Sequence, residues 1–320
     1  MKKYFLSYVF SMILLGFISL TAHAAAYDIH VNQASTSGSE DGTEANPYQT
    51  ISAAVSKAET MPDGQRNIFI ANGTYNEELS LNASMSLTGE DKNYTIINGH
   101  GKNKTIEINE TSDISNLTVA EGYVGIYVGE NAGAKIKSCK ILKTEKMGIE
   151  IENSSTSNSK KVTVTKSDVS KGEGKGFYIK KRRISIEDNT VEDNEEEGID
   201  IRSGVKGSIK KNTIASNGES GIELVVGSSG LKITSNKIKK NSASGISNQF
   251  YKESKKVGDI LISKNRIQKN DNYGVQCATP SGGNVPNNYW TKSIDLARNI
   301  FSGNSTPFAK RCGFPIALKK

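Results

Sequence analysis

Asn189-Thr-Val191-Glu-Asp-Asn194, Asn212-Thr-Ile214-Ala-Ser-Asn217, Asn236-Lys-Ile238-Lys-Lys-Asn241, Asn265-Arg-Ile267-Gln-Lys-Asn270 and Asn299-Ile-Phe301-Ser-Gly-Asn304 are five copies of one pattern. An apolar residue stands three positions before each first Asn: Ile186, Ile209, Ile233, Ile262 and Leu296. The copies recur after 23, 24, 29 and 34 residues, a period typical of a solenoid built from short strands and polar turns. Between them run stretches of the form Gly-apolar-x-apolar: Gly198-Ile-Asp-Ile201 and Gly221-Ile-Glu-Leu224, with earlier versions at Gly125, Gly148 and Gly176. Period-two alternation puts the two apolar residues on one face and the middle residue on the other. The spacing leaves room for three short strands and three turns per coil, and none for long helices. Each coil then buries its Ile and Val only against neighbouring coils, so stability is shared along the stack.

The asparagines suit such a stack for two reasons. Identical side chains one rung apart can hydrogen-bond as a ladder, and Asn tolerates the left-handed backbone of a sharp corner. Gly before each strand would permit the next corner. These arguments assign the Asn residues a structural role rather than a binding one.

The repeat resembles that of right-handed parallel β-helix proteins of the pectin-lyase-like superfamily, from about Tyr27 to Asn304. The resemblance implies an all-β, single-stranded right-handed parallel β-helix with a short N-terminal capping helix. The segments Asp41-Gly-Thr-Glu-Ala-Asn-Pro-Tyr-Gln-Thr-Ile-Ser-Ala-Ala-Val55 and Asn67-Ile-Phe-Ile-Ala-Asn-Gly-Thr-Tyr-Asn-Glu77 are similar to the N-terminal part of secreted β-helix proteins, pectin methylesterases among them. The catalytic Gln pair and Asp-Phe-(Ile/Val)-Phe-Gly strand of those esterases have no counterpart here. Gly99-His100-Gly101 matches a short polygalacturonase motif, but the acidic segments that precede it in that family are missing, so it is read as coincidence. The superfamily spans lyases, hydrolases, esterases and epimerases, so the resemblance fixes no reaction.

Residues 1–24 read as a secretory signal: Lys2 and Lys3, an apolar run from Tyr4 to Leu20, and a small-x-small end at Ala22-His23-Ala24. Removing them lowers the formal charge from +7 to +5, since Lys2 and Lys3 leave and no acid does. The chain remains basic and attracted to polyanions. For an exported protein, acidic polysaccharide or envelope glycan fits better than nucleic acid, and no later run is long enough for membrane insertion. The expected organisation is a strand and capping helix over 25–66, coils over 67–305 and a tail over 306–320, in a secreted or periplasmic monomer. Thr50 to Glu59 carries the helix, with Thr50 as N-cap and Ile51, Ala54, Val55 and Ala58 on one face. It would plug the open end of the stack and blunt the strand edge. Ser154–Lys161, Phe250–Lys256 and Cys277–Trp290 interrupt the period as insertions. Of three cysteines, Cys277 and Cys312 flank the last coil and can be bridged in an oxidising compartment, while Cys139 stands where later repeats have Asn.

The better candidate for chemistry is a surface rather than a motif. With coils in register, Tyr127, Glu150, Tyr178, Asp200, Glu223, Ser247 and Gln276 form one outward column, and Glu152, Lys180 and Arg202 face the same way. Asp200 and Glu223 would lie about 5 Å apart, one rung. Carboxylates that close share a proton or a cation, and Ca²⁺ takes such ligands. Acidic-polysaccharide lyases of this fold imply roles for these positions: Asp200 and Glu223 holding Ca²⁺ against the sugar acid, and Arg202 or Lys180 removing the C5 proton. Tyr127, Glu150 and Tyr178 would bind sugar. The same separation suits a retaining glycosidase. The competing expectation is a non-catalytic glycan-binding or envelope module whose charges merely pair with neighbours. Only His23, His30 and His100 occur, so a His-dependent triad is poorly supported.

Overall fold

The computed structural model describes residues 27–101, 103–154, 160–251, 258–280, 285 and 288–315. The signal-peptide expectation over 1–24 lies outside the described residues, as do much of each insertion and the end of the tail. The chain winds into a parallel β-solenoid with three sheets of 11, 10 and 10 strands. In chain order each coil contributes a strand to the first sheet, then the second, then the third; one coil runs Ala134–Lys137, Lys140–Leu142 and Met147–Ile151. Neighbouring coils pair strand to strand in parallel, as Ile136 with Val164 and Ile149 with Phe177. The side chains of Ile136, Ile141, Ile149 and Ile151 point inward and are buried, and each coil repeats this. A single continuous core therefore runs the length of the stack.

The asparagines form two ladders inside the corners on either side of the second sheet. In one, the Nδ2 groups of Asn189, Asn212, Asn236 and Asn265 each donate to the Oδ1 of the next Asn at 3.0 Å, ending at Asn299. The second joins Asn194, Asn217, Asn241, Asn270 and Asn304 at 2.9–3.0 Å. Each amide also donates to a backbone carbonyl: that of Asn236 reaches Ile209 at 3.0 Å. Towards the N-terminus the first ladder continues with smaller groups. The backbone N–H of Ser167 donates to Asn189, and that of Cys139 to Ser167 Oγ. Cys139 is a buried free thiol whose pKa burial pushes up to about 11, so it behaves as a packing group.

The corners differ from the sequence expectation in two respects. The left-handed backbone falls on the residue before each Asn, not on the Asn: Asp188, Lys211, Ser235, Lys264 and Arg298 all have φ of 57–58°. The Asn side chain must point into the corner to join its ladder, so the outward-facing residue before it makes the turn. The glycines before the third-sheet strands do not serve by positive φ either. A Cβ on Gly148, Gly176 or Gly198 would lie 2.6–2.8 Å from the carbonyl oxygen of the stacked glycine on the next coil. Close backbone approach excludes a side chain there.

The helix spans Ile51–Glu59 and buries Ile51, Ala54, Val55 and Ala58. Thr50 Oγ1 accepts from the Ala53 N–H at 3.3 Å. Glu77, from the coil, accepts from the N–H groups of Ile51 and Ser52 at 2.8 and 2.7 Å, placing a carboxylate on the positive helix end. At the other end Tyr289, Trp290, Phe308 and Phe314 cover the last coil. Thr306–Phe308 adds a strand to the third sheet, extending the coils beyond residue 305. Arg182 is buried, and its guanidinium donates to the carbonyls of Gly129, Glu130, Ala132, Glu152 and Lys160, fastening the turns that lead out of the third sheet.

Cys277 and Cys312 are bridged, with Cα atoms 5.3 Å apart and a sequence separation of 35. The bond closes the C-terminal cap onto the third sheet. Replacing both by alanine is expected to lower stability by about 3–4 kcal/mol through loop-closure entropy alone. Chemical denaturation of native and double-Ala proteins checks this, with the loss starting at the C-terminal coils.

Candidate functional site

The third sheet brings the whole expected column into register. Tyr127 pairs with Glu150, Glu150 with Tyr178, Tyr178 with Asp200, Asp200 with Glu223, Glu223 with Ser247, and Ser247 with Gln276. Glu107 and Ser80 extend the row towards the N-terminus. Nine rungs at the parallel-strand spacing give a face about 38 Å long. Near its N-terminal end lies an open cleft of about 420 Å³, lined by Glu78, Ser80, Asn103, Lys104, Glu107, Tyr123 and Glu150 among others.

Around the column charges close into pairs. Lys180 Nζ lies 2.7 Å from Glu152 and 3.3 Å from Glu150. Burial works against its charge, but these two carboxylates prevail and hold its pKa above the ordinary lysine value. Lys104 Nζ lies 2.6 Å from Glu107 and 3.5 Å from the centre of the Tyr127 ring. Arg202 lies 3.7 Å from Asp200 Oδ1, with its guanidinium 5.6 Å from the centre of the Tyr251 ring. Burial opposes the Arg202 charge too, and Asp200 raises its pKa above the ordinary value. A base at neutral pH needs the opposite shift. Lys180 and Arg202 are thus built to stay cationic.

Asp200 faces outward from the coil yet is only 2% exposed. Lys175 lies against it. Its Nζ lies 3.2 Å from Asp200 Oδ2 and 3.3 Å from Glu196, and it donates to Glu197. Burial opposes the Lys175 charge, and Glu197 and Asp200 override it, so its pKa rises. Glu197 would be pushed up by burial, but hydrogen bonds from Glu219 and Lys175 hold it low. Glu219, exposed, shares its hydrogen bond with Glu197 and is pushed up to about 7. Asp200 is raised, chiefly by burial. Glu223 is half-buried and accepts from Gln249 Nε2 at 3.0 Å. Burial, then the charges of Glu197 and Asp200, push its carboxyl up to about 7.

Calcium at Asp200 and Glu223 would have to compete with two cations already placed there, although the buried Asp200 Oδ1 has no hydrogen-bond partner among the described residues. Lys175 and Arg202 already set a cation against each Asp200 oxygen. Among the described residues no three His, Cys, Asp or Glu side chains converge as a metal site. What the cluster can do is hold and exchange protons near neutral pH.

Lys175, Glu197 and Glu219 escaped the sequence argument. Strict alternation puts Lys175 on the inner face with Phe177, and Glu197 with Ile199. The chain instead enters the sheet through a side-chain-free glycine, at Gly176 and Gly198, and the residue before it stays outside. Charged residues immediately before the strand glycines were the available signal. His100 lies apart from the column, exposed, with Nε2 3.1 Å from both Asn76 and Asn98.

A family model described as "Right handed beta helix region" matches residues 104–252 and 155–312. No curated protein matches the chain significantly. Among solved structures, a pectate lyase superposes with a TM-score of 0.61 at 16% identity, covering 88% of this chain and 77% of that one. The Dettilon tailspike protein gives 0.52 at 15% identity, covering 86% of this chain and 62% of that one. The A-module of an Azotobacter vinelandii mannuronan C-5 epimerase gives 0.51 at 16% identity, covering 85% and 92%. At such identities the likeness is one of fold.

Proposed function

The chain belongs to the right-handed β-helix family, and from that premise we propose that it acts on an extended acidic polysaccharide lying along the third sheet. The observation that carries this reading is Glu223. Its carboxyl is held at about 7 beside the cation-paired Asp200, on a row of outward polar side chains about 38 Å long. A group whose pKa lies near the operating pH is best matched to take and return a proton. In this reading Glu223 removes the proton next to the sugar carboxylate. The bond to the neighbouring sugar then breaks, leaving a double bond while the departing oxygen takes a proton from water, or a proton from water is added at the opposite face. Lys180 and Arg202, held cationic, bind sugar acid groups and offset the charge that develops, rather than acting as bases. Tyr127, Tyr178 and Glu150 contact flanking sugars. No step runs through calcium.

The pectate lyase and mannuronan epimerase of similar fold make uronate polymers the first substrates to test. Export, to the exterior or the periplasm, is supported by the signal-like residues 1–24 and by the Cys277–Cys312 bond. Among the described residues no helix is long and apolar enough to cross a membrane. A monomer is the simplest state for this stack, since both ends are covered.

Incubation with polygalacturonate and alginate should produce unsaturated sugar ends, seen as ultraviolet absorbance, or exchange of the carbon-bound proton with deuterated solvent. Neither signal on any uronate polymer would rule out the catalytic reading. The binding-only alternative has one observation in its favour. Lys180, Arg202 and Asp200 are already paired with one another or with Glu150, Glu152 and Lys175, as in a static recognition face.

A further inference from the structure

The second sheet carries a different surface, away from Glu223. Residues 235–240 and 264–270, on this sheet and its corners, hold six cations and no acid. Lys237 and Arg266 sit side by side in the sheet register. Lys240 and Lys269 take the left-handed position on adjacent rungs of one corner. Lys264 and Arg298 do the same at the other corner, where the Lys264 N–H donates to the Ala297 carbonyl. All six side chains in these three pairs are exposed. None has an ion pair or side-chain hydrogen bond in the described structure. On other coils the protein neutralises its lysines: Lys210 and Lys211 share Glu187, and Lys92 meets Asp168.

Like charges on neighbouring strands repel and cost stability. The solenoid fixes their backbones at the rung spacing of about 4.8 Å, so only splaying of the side chains relieves the repulsion. The six exposed cations fall on three successive rungs, two, three and one of them, and this one-signed patch is complementary to a linear polymer whose closely spaced anionic groups can meet several of them at once. A lipid surface would call for apolar or aromatic anchors as well. The strip has one exposed apolar side chain, Ile300, and no aromatic one.

We propose that this cationic strip on the second sheet is a docking surface for a linear acidic polysaccharide, separate from the third-sheet column. It would tether the protein along a polyanion while leaving the column free. The attraction is electrostatic and non-directional, so it should weaken steeply with salt.

The test uses the full-length protein and sodium polygalacturonate, with neutral dextran as control polymer. A variant carrying Lys237→Gln, Lys240→Gln, Arg266→Gln and Lys269→Gln is compared with one carrying Lys57→Gln, Lys137→Gln, Lys143→Gln and Lys161→Gln. Both lose the same charge. The strip variant is expected to lose about tenfold or more in polygalacturonate affinity and to flatten its salt dependence. The control should change by less than about twofold, as expected for charges beyond the screening length. Because repulsion is removed, the strip variant should unfold at an unchanged or higher temperature, which separates lost binding from lost folding. Glu223→Gln should leave this affinity unchanged. Equal losses in the two lysine variants would overturn the proposal. So would tighter binding to phosphatidylglycerol vesicles or to duplex DNA than to the polysaccharide, or no polygalacturonate binding at low salt.

Discussion

Glu223→Gln is expected to lower turnover on a uronate polymer by about 10²–10⁴-fold while leaving polymer binding within about twofold. Gln keeps the shape and can still meet Gln249, but it cannot take a proton. In the native protein the base is the ionised form of a carboxyl held at about 7, so kcat should rise with pH through that value. In the variant the rise should vanish together with the rate. Stability moves the other way. Glu223 has an ordinary value of 4.5 and a folded value raised to about 7. Its contribution to stability is therefore full below the ordinary value and is lost as pH rises through about 7. Glu219 acts in the same direction. Native Tm should fall between about pH 5 and pH 8, and the Gln variant should fall less and be the more stable protein at pH 8. A variant that kept its rate, or a Tm loss identical in both proteins, would remove Glu223 from the role. A carboxyl kept against its preference, at a cost in stability, is the usual mark of a working site.

How much of this was legible in the sequence follows from which contacts are periodic. The register of the column could be read because the Gly-apolar-x-apolar unit recurs and period-two alternation leaves little choice of face. Asp200 and Glu223 are adjacent for that reason alone. The Cys277–Cys312 bond was legible because both residues flank the last coil. Lys175 was not, because its importance lies in where a flexible side chain ends: against Glu196, Glu197 and Asp200, contributed by the next coil. With that ammonium in place the Asp200–Glu223 pair changes character. It becomes a cation-paired acid beside one whose carboxyl is raised by burial to about 7. The short helix Tyr289–Ser293 had no repeat to announce it and forms where aromatics must cover the end of the core.

Asn236→Ala is expected to destabilise the protein by about 3–6 kcal/mol, because several buried groups lose partners at once. Asn236 Oδ1 accepts from both the backbone N–H and the side-chain amide of Asn212. Its Nδ2 supplies the Ile209 carbonyl and the Oδ1 of Asn265. All three asparagines are about 1% exposed, so water cannot replace what is removed. Asn236→Asp is the sharper test, since it preserves shape and the two accepting bonds. As a carboxylate it would bring negative charge against the Ile209 carbonyl and the Asn265 oxygen, in a corner whose cations, Lys211 and Lys264, are exposed on its outer side. Burial would raise its folded pKa, so its stability is kept below the ordinary Asp value and lost as pH rises. The Asp variant should therefore approach native stability in mild acid and fall to the Ala variant or below at neutral pH, read by urea denaturation at several pH values. Unpaired exposed Lys237, one residue on, supplies the contrast: Lys237→Gln should cost nothing measurable. If Asn236→Asp tolerated neutral pH, the ladder would be ornament on a stack held by isoleucine alone. If it failed as expected, the amides set the coil-to-coil register that aligns Asp200 with Glu223, and the site depends on a row of side chains on the other side of the core.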